Sequence, residues 1–265
     1  MKTIYKVLIS FVIGVCFIVV GISMGGAKQI NKNQFAFMNH LDIEWSPNKK
    51  DDIEYIAQSS INELEIVTTV ADVEFQEKKD IKNIQVDVSN VYSGLKVDED
   101  GHKLIIKQPS YWINNGKSRK AKISIVVPQG YQFEKVEINA NLGETKIENL
   151  NTNDLTIENS MGKLTMEDVV CYNMEIDAGM SQTDLKKVTC YKNLNIDLGM
   201  GEVKILLNNH KHDYNYNVDV GMGEVQIGDE KFSGFAEKSS HHSDLKSCQI
   251  DVDCGMGSVK VEMED

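Results

Sequence analysis

Leu194-Asn-Ile-Asp-Leu-Gly-Met-Gly-Glu-Val-Lys-Ile205 alternates apolar and polar residues on both sides of a Gly-Met-Gly centre. A period of two marks a β-strand with one buried face. Glycine at the centre accepts the positive φ of a sharp bend without a Cβ penalty. The segment therefore reads as strand, bend, strand. The pattern recurs without gaps at 136–147, 155–166, 174–185, 216–227 and 250–261, with a glycine-poor copy at 64–75. The residues that follow the Met column, Gly143, Gly162, Ser181, Gly201, Gly223 and Gly257, are 19, 19, 20, 22 and 34 positions apart.

A unit of about 20 residues cannot bury its apolar face alone, so the copies are expected to stack. Each strand would pair with its equivalent in the next copy. The expected fold is all-β: a parallel β-solenoid of strand-bend-strand rungs, six or seven of which make a rod roughly 30 Å long at a rise of about 4.8 Å. Antiparallel hairpins forming a sandwich are the competing arrangement, and the long interval before the last copy would fit it.

The N-terminus bears on the compartment. Residues 7–27 form an uncharged run of 21 residues, close to the roughly 20 needed to cross a bilayer as a helix. Lys2 and Lys6 precede it, which favours an N-in orientation, although Lys28 and Lys32 follow. Cleavage as a signal peptide is the alternative, because Ser23-Met24-Gly25 and Gly25-Gly26-Ala27 supply small residues at suitable spacing. Cys16 lies in mid-run behind Val15, which disfavours a lipoprotein. The domain plan is thus a cytoplasmic N-terminus (1–6), a transmembrane anchor (7–27), a juxtamembrane linker (28–60) with Trp45 as a headgroup anchor or a cap on the domain behind, and an extracytoplasmic solenoid (61–265).

Charge narrows the partners. The chain of 265 residues carries 40 acidic and 28 basic side chains, a net of −12. Residues 1–27 hold two lysines and no acid, so the remainder holds 40 acidic and 26 basic residues, a net of −14. Such a chain is a poor nucleic-acid binder and is repelled by anionic lipids and wall polymers. Five cysteines are too few for a disulfide framework in this length.

Aligned copies produce columns. Met161, Met180, Met200, Met222 and Met256 share a column with Leu142 and Val70, and this mixture is expected to be an apolar core filler rather than a soft-metal ladder. Asn139, Glu158, Asp177, Asp197, Asp219 and Asp253 form an acidic column. It is expected to be a solvated face, with Ca²⁺ between rungs as the alternative. Cys171-Tyr172 and Cys190-Tyr191 occupy matching places, close enough for a disulfide if the Cβ vectors permit; stacked thiols are preferred. Cys248 and Cys254 lie near the last rung. His210, His212, His241 and His242, with Asp213 or Asp244, are a conceivable Zn²⁺ or Cu²⁺ set if the two late insertions meet, but they read more simply as solvated loops. No Cys-x-x-Cys, His-Glu-x-x-His, Gly-x-Ser-x-Gly or Walker sequence occurs. No catalytic, cofactor-binding or metal residue is assigned.

Leu64-Glu-Ile-Val-Thr-Thr-Val-Ala-Asp-Val-Glu-Phe75, Ala121-Lys-Ile-Ser-Ile-Val-Val-Pro-Gln-Gly130 and the repeated Gly-Met-Gly-Glu-Val-Lys-Ile unit resemble the DUF4097 family of adhesin-like β-solenoid proteins of bacterial envelopes. The resemblance covers roughly residues 60–265. It implies a membrane-tethered exported domain, sometimes associated with envelope-stress systems, and brings no catalytic residues. The expected function is a non-enzymatic, membrane-anchored interaction or scaffold module that binds a protein or envelope polymer. The alternative is a carbohydrate-active β-helix enzyme, which would need two carboxylates with distinct roles in a cleft.

Overall fold

The alternation of the repeats becomes alternating burial. In the first arm of each copy the apolar pair points inward: Leu64 and Ile66, Val136 and Ile138, Leu155 and Ile157, and so on to Ile250 and Val252, all at most 3% exposed. In the second arm Phe75, Ile147, Met166, Leu185, Ile205, Ile227 and Val261 do the same. One continuous core results. The computed structural model describes residues 52–91, 94–108, 120–208, 214–233, 237–241 and 248–263, all within the unit Ile43–Asp265. They form strands β1 (Ile53–Ile56), β2 (Glu63–Lys78), β3 (Gln85–Ser89), β4 (Lys96–Asp100), β5 (Lys103–Lys107), β6 (Ala121–Pro128), β7 (Gln132–Leu207), β8 (Tyr214–Val220), β9 (Glu224–Ile227), β10 (Glu230–Ser233), β11 (Glu237–His241) and β12 (Cys248–Met263). The described residues contain no helix, so none is long and apolar enough to cross a membrane. The expected anchor at 7–27 and most of the linker, Trp45 included, lie outside the described residues.

Copies stack in parallel and in register. β2 lies on the first copy of β7, with Leu64 opposite Val136 and Phe75 opposite Ile147. Within β7 the copies are tied by side-chain hydrogen bonds between residues 19 or 20 apart. Asn139 donates to Glu158, Ser160 to Asn141, and Asn193 to Asn173.

The order of the last two copies differs from the sequence order. β12 lies on the final copy of β7, with Ile250 opposite Leu194 and Val261 opposite Ile205. Its other side takes β8 and β9, with Ile250 opposite Tyr216 and Val261 opposite Ile227. The C-terminal copy is therefore inserted between copies 194–205 and 216–227, which were expected to be neighbours. The long connection explains this. β10 and β11 fold back antiparallel on β9 and β8, cover the outer side of copy 216–227, and leave its inner side for the returning chain. At the opposite end β5 and β6 lie parallel to the two arms of β2, and β4, β3 and β1 complete the edge antiparallel. Short antiparallel terminal strands limit the open edge available for pairing with another chain.

The first three rungs of β7 also have a second corner. Asn149, Asp168 and Lys187 adopt left-handed φ of 57°, 57° and 53°, one per rung. Asn and Asp tolerate this conformation better than most residues. Lys187 is held there by ion pairs to Glu167 at 3.1 Å and Asp168 at 3.5 Å.

Glu99 fastens the N-terminal end. Its carboxylate accepts hydrogen bonds from Tyr55 Oη at 2.7 Å, the Gln58 amide at 2.7 Å, the Ser59 amide at 3.1 Å and Ser59 Oγ. Burial alone would raise its pKa, but the bonds from Ser59, Tyr55 and the two amides outweigh it and hold the carboxyl down to about 2. A carboxyl depressed on folding stabilises the fold above its unfolded value, 4.5, and that contribution disappears as pH falls through the folded value. Glu99→Gln is accordingly expected to lower the melting temperature at pH 7, with the gap from the parent protein closing between pH 4.5 and about 2. Thermal melts across that range check it.

Candidate functional site

The outward residues of the first arms make one acidic face. Glu158, Asp177, Asp197, Asp253 and Asp219 follow each other in rung order, and Asp253 stands opposite both Asp197 and Asp219. A parallel neighbour lies about 4.8 Å away, so these carboxylates repel one another. A second column, two residues earlier, adds Glu137, Glu175 and Asp251. Together with Asn195, Asn217, Ser239 and Ser240, the acids at 175, 177, 197, 219, 251 and 253 line an open concavity of about 610 Å³. The face ends at Lys103, which pairs with Glu65 at 2.5 Å and Glu137 at 3.5 Å. Among the described residues no group of three or more His, Cys, Asp or Glu is placed to hold a metal ion.

The second-arm face is mixed in charge. Lys204 pairs with Glu202 at 2.7 Å, Lys163 with Glu144 at 3.7 Å, and Lys260 with Glu262 at 2.5 Å. The negative field is thus strongest along the first arms.

Between the two faces runs the bend, and here the methionine expectation is overturned. Met161, Met180, Met200, Met256 and Met222 are 44, 54, 42, 48 and 57% exposed. The cause lies in the flanking glycines. A Cβ on Gly162 would stand 2.5 Å from the Gly143 carbonyl oxygen, on Gly179 2.6 Å from that of Ser160, and on Gly257 2.6 Å from that of Gly201. Backbone of one rung occupies the inside of the bend of the next, so the side chain at the apex has nowhere to go but outward. Apolar character does not tell which side of a bend a residue takes. Met200→Gln is expected to change stability by no more than about 0.5 kcal/mol, whereas a core methionine would cost several times that; a denaturant titration distinguishes them.

The cysteines do gather. Cys171, Cys190 and Cys248 are buried unoxidised thiols, with the Cys190 side chain hydrogen-bonded to the other two, and Cys254 is a separate buried thiol near the bend. No disulfide joins Cys171 to Cys190. Hydrogen bonding with the Cys190 side chain and then burial push the Cys171 and Cys248 thiols up. The bonds to these two neighbours pull Cys190 the other way. The exposed rings of Tyr172 and Tyr191 stack with centroids 5.4 Å apart, and Lys192 Nζ lies 5.9 Å from the Tyr172 centroid.

Histidine residues 210, 212 and 242, together with Asp213 and Asp244, lie outside the described residues. His241 contributes backbone to β11 opposite Tyr216. Sequence reading also missed the second acidic column. Its signal was present as Glu137, Glu175 and Asp251 two places ahead of the first.

A family model described as Toastrack DUF4097 matches residues 61–231. No curated protein matches the chain. Among solved structures, a provisionally assigned cell adhesion protein from Clostridium sporogenes is 14% identical, with 83% of this chain and 100% of that chain covered and a TM-score of 0.49. Provisionally assigned adhesins from Parabacteroides distasonis and Bacteroides fragilis are 15% and 13% identical, cover 82% and 80% of this chain and 98% and 97% of their own, and have TM-scores of 0.37 and 0.32.

Proposed function

The chain belongs to the Toastrack DUF4097 family, and from that premise we propose that it is a non-enzymatic, adhesin-like interaction module displayed outside the cytoplasm on the bacterial cell membrane. The anchor is the uncharged run 7–27 behind Lys2 and Lys6, with the N-terminus inside and the rung stack outside. The single observation that carries the reading is repetition. The same outward side-chain columns recur on successive rungs at strand spacing, so the surface offers equivalent contacts along its length.

That geometry suits binding better than turnover. An acid-base pair needs two carboxylates with different environments, and the acidic concavity supplies near-equivalent ones from rung to rung. Glu99, whose carboxyl is displaced to about 2, is consumed by structural hydrogen bonds at the N-terminal end. The acidic face favours a partner with a basic surface over an anionic wall polymer. Residence outside the membrane would let the module serve an envelope-stress system, in keeping with its family resemblance.

The test uses the full chain in its own membranes. Resistance to carbonate extraction, digestion by protease added outside intact spheroplasts, an N-terminus at Met1 or Lys2, and a discrete adduct from a photo-crosslinker at Tyr172 or Asp197 are the expected results. Release by carbonate, or a mature N-terminus near Ala27, would replace anchoring with secretion. Cleavage of an envelope polysaccharide by the purified protein would replace binding with catalysis.

A further inference from the structure

We propose that the exposed methionine edge is a binding site for soft monovalent cations, of which Cu(I) and Ag(I) are the type. The site goes beyond the docking role above and does not depend on it.

Placement comes first. Met200 and Met256 are in-register partners on adjacent parallel strands. The Met222 amide donates to the Gly255 carbonyl at 2.7 Å, which seats the next rung on the other side of Met256. Met161, Met180 and Met200 sit on successive rungs whose backbones meet where a Cβ on Gly179 would stand 2.6 Å from the Ser160 oxygen and one on Gly201 2.2 Å from the Ser181 oxygen. Five thioethers therefore line one edge at a rise of about 4.8 Å, each 42–57% exposed.

Chemistry comes second. Thioether sulfur is a soft, neutral ligand that selects Cu(I)-like ions over Ca²⁺ or Mg²⁺. Neighbouring edge residues stand about 4.8 Å apart, a separation that lets two sulfurs take either side of one soft ion. The three rotatable bonds of methionine let each sulfur make that reach.

The repeats vary unevenly along their columns. The second-arm column that holds Lys146, Thr165, Asp184, Lys204, Gln226 and Lys260 has diverged freely, while the edge keeps Met on five rungs. An edge needed only for apolar contact would accept Leu or Ile. Moreover, every edge Met has a carboxylate three residues before it: Glu158, Asp177, Asp197, Asp219 and Asp253. The two rungs without Met, at Leu142 and Val70, have Asn139 and Val67 there instead. Thioether and carboxylate thus occur together rung by rung, and the acidic column supplies the field that concentrates cations along the edge.

The experiment is silver titration, in chloride-free buffer, of the full-length protein carrying ¹³C-methyl methionine. Saturable shifts are expected for the methyls of Met161, Met180, Met200, Met222 and Met256, with the buried Met166 and Met174 as unshifted references. Met200→Leu combined with Met256→Leu keeps the edge apolar, keeps all the thiols, and is expected to weaken Ag⁺ binding read at the remaining edge methyls at least roughly tenfold. Edge methyls that do not move at 100 μM Ag⁺, a concentration on the order of a weak surface site, would overturn the proposal. So would equal affinity in the parent and the double-Leu protein.

Discussion

The Gly201→Val variant is expected to lose about 3 kcal/mol or more of stability, from overpacking and backbone strain acting together. Gly201 has φ +148°, and a Cβ there would stand 2.2 Å from the Ser181 carbonyl oxygen and 3.0 Å from the Ser181 amide nitrogen. Those are backbone atoms of the rung beneath, so relief requires two rungs to part. Gly223 has no left-handed φ, but a Cβ there meets the Gly257 oxygen at 2.5 Å and the Cys254 sulfur at 2.8 Å, so Gly223→Val should lose stability from overpacking alone. For a domain of this size each kcal/mol lowers the melting temperature by roughly 2–4 °C, so a drop of roughly 6–12 °C is the measurable result. Gly101→Ala is the control. Its φ is +63° but nothing lies within 4 Å of the added Cβ, so only the left-handed penalty of roughly 1–2 kcal/mol applies. A loss in Gly201→Val no larger than in Gly101→Ala, with Gly223→Val unchanged, would mean that backbone conformation, not rung contact, explains the glycines.

The second large effect follows from the place of the C-terminal copy. Deleting residues 248–265 removes the strand that separates copy 194–205 from copy 216–227 and pairs with both. Two rungs lose their partners at once, and buried side chains such as Leu198, Val203, Val220 and Val225, each at 0% exposure, lose their cover. The loss should approach the whole stability of a domain, on the order of 5–15 kcal/mol. The expected outcome is an aggregating protein without a cooperative melt. If the copies were stacked in sequence order, the deletion would trim a terminal rung and leave the remainder melting as a shortened stack. Circular dichroism and sedimentation separate the two.

These predictions also mark how far the sequence could be read. Strand, repeat and inward face were legible because alternation is a direct consequence of backbone geometry. The positive φ expected of the bend glycines is found only at Gly143 and Gly201; at Gly162, Gly179, Gly223 and Gly257 the residue is glycine because backbone of the adjacent rung stands where a Cβ would be. The left-handed corner at Asn149, Asp168 and Lys187 was not, because the three share a conformation without sharing a residue type. The methionines were misplaced because a column of Met, Leu and Val looks apolar whether it points in or out. What decides is the carbonyl of the next rung, which no single repeat contains. Rung order was hidden for a similar reason: copy 216–227 shares eight of twelve residues with copy 194–205 and copy 250–261 only six, so likeness between repeats points to the wrong neighbour. The cysteines gave no clue either: Cys171, Cys190 and Cys248 stand three, four and two residues before their copies, and only the folded stack brings the Cys190 and Cys248 side chains together.

Rung order is tested most directly by disulfide trapping with two cysteine pairs on the outward second-arm face. Lys204 and Lys260 are Cα partners, and Lys260 is in turn the partner of Gln226. Lys204 and Gln226 therefore stand two strand spacings apart, about 9.6 Å, beyond the roughly 7 Å that a disulfide can bridge. Mild oxidation should crosslink the Lys204→Cys, Lys260→Cys protein in high yield and leave the Lys204→Cys, Gln226→Cys protein unbridged. Efficient bridging of the second pair and failure of the first would contradict the insertion of the C-terminal copy.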